Sequence, residues 1–418
     1  MNNCIIKNSR NTNSAPKNHL STQTVAFSHY NNISAQLPLD PKTGNIVIGG
    51  IKEQAKQCLS NIKSIVESIG HVMDDLVKIN IFVKEIEDIK IIDEIYTSFF
   101  DNSLPTRTVV AVAALPISDA LVQMDALLSN GEGTTPQKPC ALLKVSRNTV
   151  DAPLMNESTQ TVAFSHYNNL SAQLPIDPLT GKLIDGGVEE QTKQCFNNIK
   201  AILKSIGHVT ADIVKTTIYV KNIRDVDTVN DICNQFFYDY IPARTIVKAT
   251  DLPMEALVQI DAVVSHGDGT PPQLPEDSRF IVIEASNTEK APKSSYSHTV
   301  AFSHYNHLSG QLPIIPETGK IISDNITEQT EQCFNNIKSI IESVEHVMDD
   351  IVKVNIQLKN IDDLDIVNEI YVQYFKNALP ARTIIGVSSI PMRALIQVDA
   401  VVSNCEGTPP QNKCYKLT

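Results

Sequence analysis

Signals that would settle a function class outright are missing from this chain. It has no excess of positive charge, since 35 Lys and Arg stand against 47 Asp and Glu for a formal net charge of −12. Bulk attraction to nucleic acid or anionic membrane needs a basic footprint, so neither partner is expected. A nuclease would also want a basic strip interleaved with aromatics, and there is none. A local cationic pocket for a small anion is still compatible with that balance. No apolar run approaches the roughly 18 residues of a membrane span. The opening Met1-Asn2-Asn3-Cys4-Ile5-Ile6-Lys7-Asn8 lacks the apolar stretch of a signal peptide. A cytoplasmic location is the expectation. The eight cysteines include no C-x-x-C pair and no Cys/His grouping at zinc spacing, so no metal site is expected. Cys58, Cys195 and Cys333 recur at equivalent helical places and read as small buried hydrophobes. Gly49-Gly50 and Gly186-Gly187 lack the lysine and spacing of a phosphate loop.

What is present is one unit written three times. The string Thr24-Val25-Ala26-Phe27-Ser28-His29-Tyr30-Asn31 returns at Thr161–Asn168 and Thr299–Asn306. Arg107, Arg244 and Arg382 are spaced by 137 and 138 residues, far beyond solenoid repeats of roughly 20–50 residues. Each copy is long enough to be a domain, and Pro/Gly segments such as Gly267-Asp268-Gly269-Thr270-Pro271-Pro272 read as the joints. The expected division is 1–137, 138–276 and 277–418. The closing Cys414-Tyr415-Lys416-Leu417 reads like the start of a further unit cut short.

Within a copy, a short strand (Cys4 to Lys7, Ala141 to Val145, Phe280 to Glu284) precedes a hairpin around Ser-His-Tyr-Asn. A helix follows over about Ile51 to Ile69, with Ala55, Cys58, Leu59, Ile62, Ile65, Val66 and Ile69 at helical spacing and Gly70 as its stop. An alternating strand from Val77 to Val83 and a second helix over about Asp88 to Phe100 come next. Two strands close the unit. One begins at the Arg, as in Leu379-Pro380-Ala381-Arg382-Thr383-Ile384, where proline sets the chain direction and β-branched residues follow. The other carries Gln and Asp on one face: Gln123 and Asp125, Gln259 and Asp261, Gln397 and Asp399. The order β-β-β-α-β-α-β-β predicts an α+β layer, helices on one face of a sheet.

Adjacent Ser and His at 28/29, 165/166 and 303/304 point to opposite faces and form no local nucleophile–base pair. His71, His208 and His346 sit at the end of the first helix, where positive charge is favoured, and no catalysis is assigned to them. An Arg beside a polar strip in an otherwise apolar segment is the best candidate for chemistry. The Gln/Asp strip reads equally as a ligand site or as a polar seam between units.

Ser309-Gly310-Gln311-Leu312-Pro313, Asn368 and Leu379-Pro380-Ala381-Arg382-Thr383 closely resemble the Rid family, which contains the reactive enamine/imine deaminases. The resemblance covers essentially the whole chain, three times. It implies chorismate-mutase-like units, each a mixed sheet with two helices on one face. Family members are usually homotrimers, so it further implies an intramolecular pseudo-trimer around a central β-barrel, monomeric as a chain, with clefts between units. The implied reaction is hydrolysis of a 2-imino acid, such as 2-iminopropanoate or 2-iminobutanoate, to the 2-keto acid and ammonia without cofactor. Arg382, Arg244 and Arg107 match the Arg that holds the substrate carboxylate, a fork suited to two parallel hydrogen bonds. Ser309 and Gly310, with Ser171 and Ala172 and with Ser34 and Ala35 at the same places, would bring hydroxyl and backbone N–H groups to that anion. Asn368 and Asn230 match the family's helix Asn, and Tyr296 a Tyr at the cleft mouth.

There are departures. Asp93 replaces the Asn in the first copy, and Ser21 and Ser158 replace Tyr296 in the first two. Gln397, Gln259 and Gln123 stand at the catalytic place where deaminase members commonly have Glu, and an amide cannot take a proton. A second reading is therefore a non-catalytic module that binds small carboxylates. A ribonuclease or translation inhibitor ranks below both.

Overall fold

The computed structural model describes residues 5–130, 133–135, 142–237, 240–266, 269–270 and 282–404. The segment at Cys414–Leu417 and parts of the joints lie outside the described residues. Three units of like topology follow one another. In the first, the sheet order is Asn8–Arg10, Thr24–Phe27, Tyr30–Gln36, Val122–Ser129, Leu76–Val83, Thr106–Ala111. Only the last pair is parallel; the other neighbours are antiparallel. The second and third units repeat the order around Val258–Ser265 and Ile396–Ser403.

The first strand of each unit starts later than its apolar residues suggest, at Asn8, Val145 and Glu284. Ile5 and Leu142 are buried instead in a cluster shared by the three units, so the backbone pairs with its hairpin through the more polar residues that follow. The hairpin itself turns on Ser28, Ser165 and Ser303, all at positive φ near 50°.

The first helices (Ile51–Ser68, Val188–Ser205, Ile326–Ser343) bury one apolar stripe on the sheet, for example Ala55, Cys58, Leu59, Ile62 and Ile65. Each fully buried aliphatic side chain there is worth about 1.5–3 kcal/mol. Glu53 and Glu190 reach back to the N–H of Gly50 and Gly187 at 3.1 and 2.9 Å, while Asn325 caps the third copy. The chain leaves the helix through a left-handed residue, Gly70 or Gly207; the third copy has Glu345 there at φ 64°. His71, His208 and His346, which follow, pair with Asp75, Asp212 and Asp350. The second helices are short (Ile89–Tyr96, Val226–Phe236, Leu364–Tyr371), and in the first and third copies 3-10 turns extend both ends.

The opposite face of each sheet is buried too, against the other units. Val25, Phe27 and Tyr30 share a core with Phe164, Tyr167, Phe302 and Tyr305. The Tyr30 hydroxyl donates to the Phe164 carbonyl, Tyr167 to Phe302, and Tyr305 back to Phe27. Unit one thus contacts two, two contacts three, and three contacts one.

Candidate active site between units

Each cleft Arg lies on the outermost strand of its sheet, a position that leaves one row of backbone groups unpaired. The following unit covers that edge. Arg244 N–H donates to Ser309 Oγ at 2.8 Å and its carbonyl accepts from Gly310 N–H at 2.9 Å. Arg107 N–H meets Ser171 Oγ at 2.9 Å, with Ala172 N–H on its carbonyl at 3.1 Å. Arg382 N–H meets Ser34 Oγ of the first unit at 2.8 Å. Each serine passes its own proton to a carbonyl of its unit: Ser309 to Ser297, Ser171 to Thr159, Ser34 to Thr22. These hydroxyls, and the N–H groups of Gly310 and Ala172, are committed to holding the Arg strand. Strand-edge backbone groups demand partners, and these residues supply them.

The guanidinium groups are fixed by side chains instead. Nη1 donates to Asn230 Oδ1 at 2.7 Å for Arg244, to Asn368 Oδ1 at 2.8 Å for Arg382, and to Asp93 Oδ1 at 2.6 Å for Arg107. An aromatic ring lies under each, a contact worth about 0.5–2 kcal/mol. Tyr96 serves Arg107 at 5.1 Å and Tyr371 serves Arg382 at 4.7 Å, both from the second helix of the same unit. The equivalent place in the second unit is Cys233, and Arg244 takes its ring from Tyr296 of the third unit at 5.3 Å. Burial pushes the Cys233 thiol up to about 11, against the pull of Arg244. Burial also raises Tyr296 and Tyr371 and lowers Arg382, Tyr371 opposing the last shift; an Arg this basic stays charged.

At the third seam these groups line one cleft of about 130 Å³: Arg382, Asn368 and Ile384 from the third unit, Ser34, Ala35 and Gln123 from the first. Arg244 is 1% exposed, and its Nε and Nη2 have no hydrogen-bond partner among the described residues. Gln397 Nε2 donates to Ile246 O at 3.0 Å and Gln123 Nε2 to Ile384 O at 3.1 Å, so each amide is anchored across the seam beside the Arg strand. Gln259 Oε1 is buried with no partner among the described residues. Gly310 is small for a local reason: a Cβ there would meet Gln397 Nε2 at 2.9 Å and Thr245 Cγ2 at 3.1 Å.

The aspartates of the strip go elsewhere. Asp261 pairs with Lys78 at 2.8 Å, Asp125 with Lys353 at 3.1 Å and Asp399 with Lys215 at 4.0 Å, always across a seam. Thr108, Thr383 and Thr245 donate to the same carboxylates. The six charged residues line a chamber of about 180 Å³ between the units. For Asp, the polar-seam reading is the one the geometry supports. Among the described residues no group of His, Cys, Asp and Glu is arranged to hold a metal, and no helix is long and apolar enough to cross a membrane.

Fold and clefts define a class: α+β units in tandem, each presenting a buried or half-buried Arg to its neighbour. A family profile described as Endoribonuclease L-PSP matches residues 12–129, 153–266 and 287–404. The chain belongs to this family, that of the Rid proteins, and carries it in three tandem copies. A RutC family protein of Pyrococcus abyssi is 40% identical over 116 residues, which is 27% of this chain and 91% of that protein. The 2-iminobutanoate/2-iminopropanoate deaminase of Bos taurus is 35% identical over 128 residues, 30% of this chain and 93% of that enzyme. A solved Rid family structure from Yersinia pestis is 37% identical, spans 29% of this chain and 99% of its own, with a TM-score of 0.29.

Proposed function

We propose that this chain hydrolyses reactive 2-imino acids, such as 2-iminopropanoate and 2-iminobutanoate, to 2-keto acids and ammonia at clefts between its units. The observation that carries the reading is the Arg244 guanidinium, buried, held by Asn230 and with two donors on one edge that have no partner among the described residues. Two parallel donors in a dry site answer a carboxylate, and the substrate class has one. With the carboxylate fixed, C2 of the protonated imine lies open to water. Water adds to C2 and sheds one proton, and the nitrogen takes up a proton. The C–N bond breaks as the added hydroxyl gives up its remaining proton to solvent and becomes the carbonyl, releasing ammonia and leaving the ketone. The carbonyl oxygen of Gln397 or Gln123 orients the attacking water, and the proton it sheds leaves through solvent, because an amide cannot hold it. The three units act as one pseudo-trimer around a central barrel, within a monomeric cytoplasmic chain. The net charge of −12 weighs against RNA as substrate.

Anchoring of the Gln amides to backbone carbonyls favours a second reading, a carboxylate-binding module without turnover. Ammonia release from enzymatically generated 2-iminobutanoate, with semicarbazide trapping of the imine, decides between them. Faster ammonia release and less trapped imine in the presence of the protein support the deaminase. Thermal stabilisation by 2-ketobutyrate with no change in trapping supports the binder. If Gln397 orients the water, Gln397→Glu raises turnover with equal or poorer apparent affinity, since a proton acceptor is gained beside an anion site.

A further inference from the structure

We infer that the three seams are not equivalent: Asp93 closes the Arg107 cleft to carboxylates and leaves anion binding to the clefts of Arg244 and Arg382. This rests on the carboxylate-binding reading and adds a selectivity determinant to it. Asp93, Asn230 and Asn368 stand at the same place, each on the second helix of its unit and fourteen positions before its Arg. Each offers one oxygen to Nη1, at 2.6, 2.7 and 2.8 Å. The geometry is shared; the chemistry differs by one atom, a carboxylate oxygen where the others have an amide nitrogen.

That atom changes the charge an entering anion meets. Asn230 and Asn368 orient their guanidinium without neutralising it, so each cleft keeps a full positive charge. Asp93 cancels the charge of Arg107. The Asp93 side chain is 23% exposed and that of Arg107 9%, so this pair sits at the edge of the protein and not deep within it. A second carboxylate at the remaining edge of the guanidinium would lie within a few ångströms of the first, where like charges repel. Beside the residues that cover the Arg107 strand, the second unit holds a cavity of about 30 Å³ bounded by Ser158, Ser171, Ala172 and Gln173. At the third seam the cleft is about 130 Å³ and Arg382 lines it. Arg107 has the carboxylate it can hold.

The test is calorimetric titration of the full chain with 2-ketobutyrate, the product carboxylate. In an Arg244→Ala, Arg382→Ala variant only the first cleft keeps its Arg. That variant is expected to show no binding up to about ten times the wild-type Kd, and adding Asp93→Asn is expected to restore one equivalent. One equivalent bound at the wild-type Kd with Asp93 still in place overturns the inference and leaves the carboxylate reading intact. A wild-type chain that binds no 2-ketobutyrate, or a double variant that binds as many equivalents as wild type, overturns both. Should the double variant fold poorly, Asp93→Asn alone in the intact chain decides. Two equivalents rising to three support the inference, and an unchanged number overturns it.

Discussion

The seam between the first and second units and the seam between the second and third are built from the same positions, yet they distribute charge differently. At the first, Arg107 is neutralised by Asp93, and in the chamber Lys78 meets Asp261 at 2.8 Å. At the second, Arg244 meets the neutral Asn230 and the ring of Tyr296, and Lys215 stands 4.0 Å from Asp399. Lys215 gives its protons instead to Thr245 Oγ1 at 2.7 Å and to the Leu308 carbonyl. One seam pairs its cations with carboxylates; the other holds them mainly with neutral groups. The difference separates stability from function. A cation that is already paired holds units together, and one that is not can hold a ligand.

The largest effect should come from removing one member of a tight pair. Asp261→Asn leaves Lys78 charged, buried and unpaired, at an expected cost of about 3–5 kcal/mol in denaturant unfolding. Asp399→Asn should cost about 1–2 kcal/mol, because Lys215 keeps its neutral acceptors. Equal losses for the two variants would erase the distinction between the seams.

A smaller effect should separate the third unit by pH. His307 faces the chamber where the other copies have Asn32 and Asn169, and burial, with Lys215 and Lys78 nearby, lowers its pKa to about 3. The unfolded chain takes up this proton near 6.5, the folded chain only near 3. Stability from this group is therefore full above 6.5 and declines as the pH falls towards 3. Between pH 7 and pH 5, His307→Asn should lose about 2 kcal/mol less than wild type in urea titrations. His29 and His166, lowered to about 4 mainly by burial, add the same trend to both proteins.

The smallest expected change is Gly310→Ala, at about 1 kcal/mol. The new methyl displaces Gln397 or Thr245 by a few tenths of an ångström, and Ala35 and Ala172 occupy the same place in the other copies. Thermal melting should hardly move, while turnover at that cleft falls with the displaced amide. Unchanged turnover would remove Gln397 from the reaction.

Much of this was legible in the sequence. Repetition located the units, and alternation located the Arg strand and the Gln/Asp strand, because both patterns follow from burial on one face. Tyr296 was read as a cleft residue, but the rings under Arg107 and Arg382 were not, although a signal exists: Tyr96, Cys233 and Tyr371 align across the copies. On a helix such residues look like ordinary core. Partners across a seam are harder still. Nothing local says that Ser309 Oγ will accept from Arg244 N–H, or that Lys353 will reach Asp125, because those choices are made by the packing of units far apart in the chain.

The closure of the third unit on the first sets an order of events during synthesis. The Arg382 cleft takes Ser34, Ala35 and Gln123 from the beginning of the chain and its Arg from near the end. At the usual 5–20 residues per second, a ribosome needs roughly 13–50 s to pass from Gln123 to Arg382. Over that interval the nascent first unit presents an uncovered sheet face and an unmatched Asp125. On a crowded polysome the third unit of a neighbouring chain can fill that vacancy as well as its own, giving exchanged dimers. The tandem chain gains the freedom to vary each seam singly, and in return its last interface is the one most open to strangers.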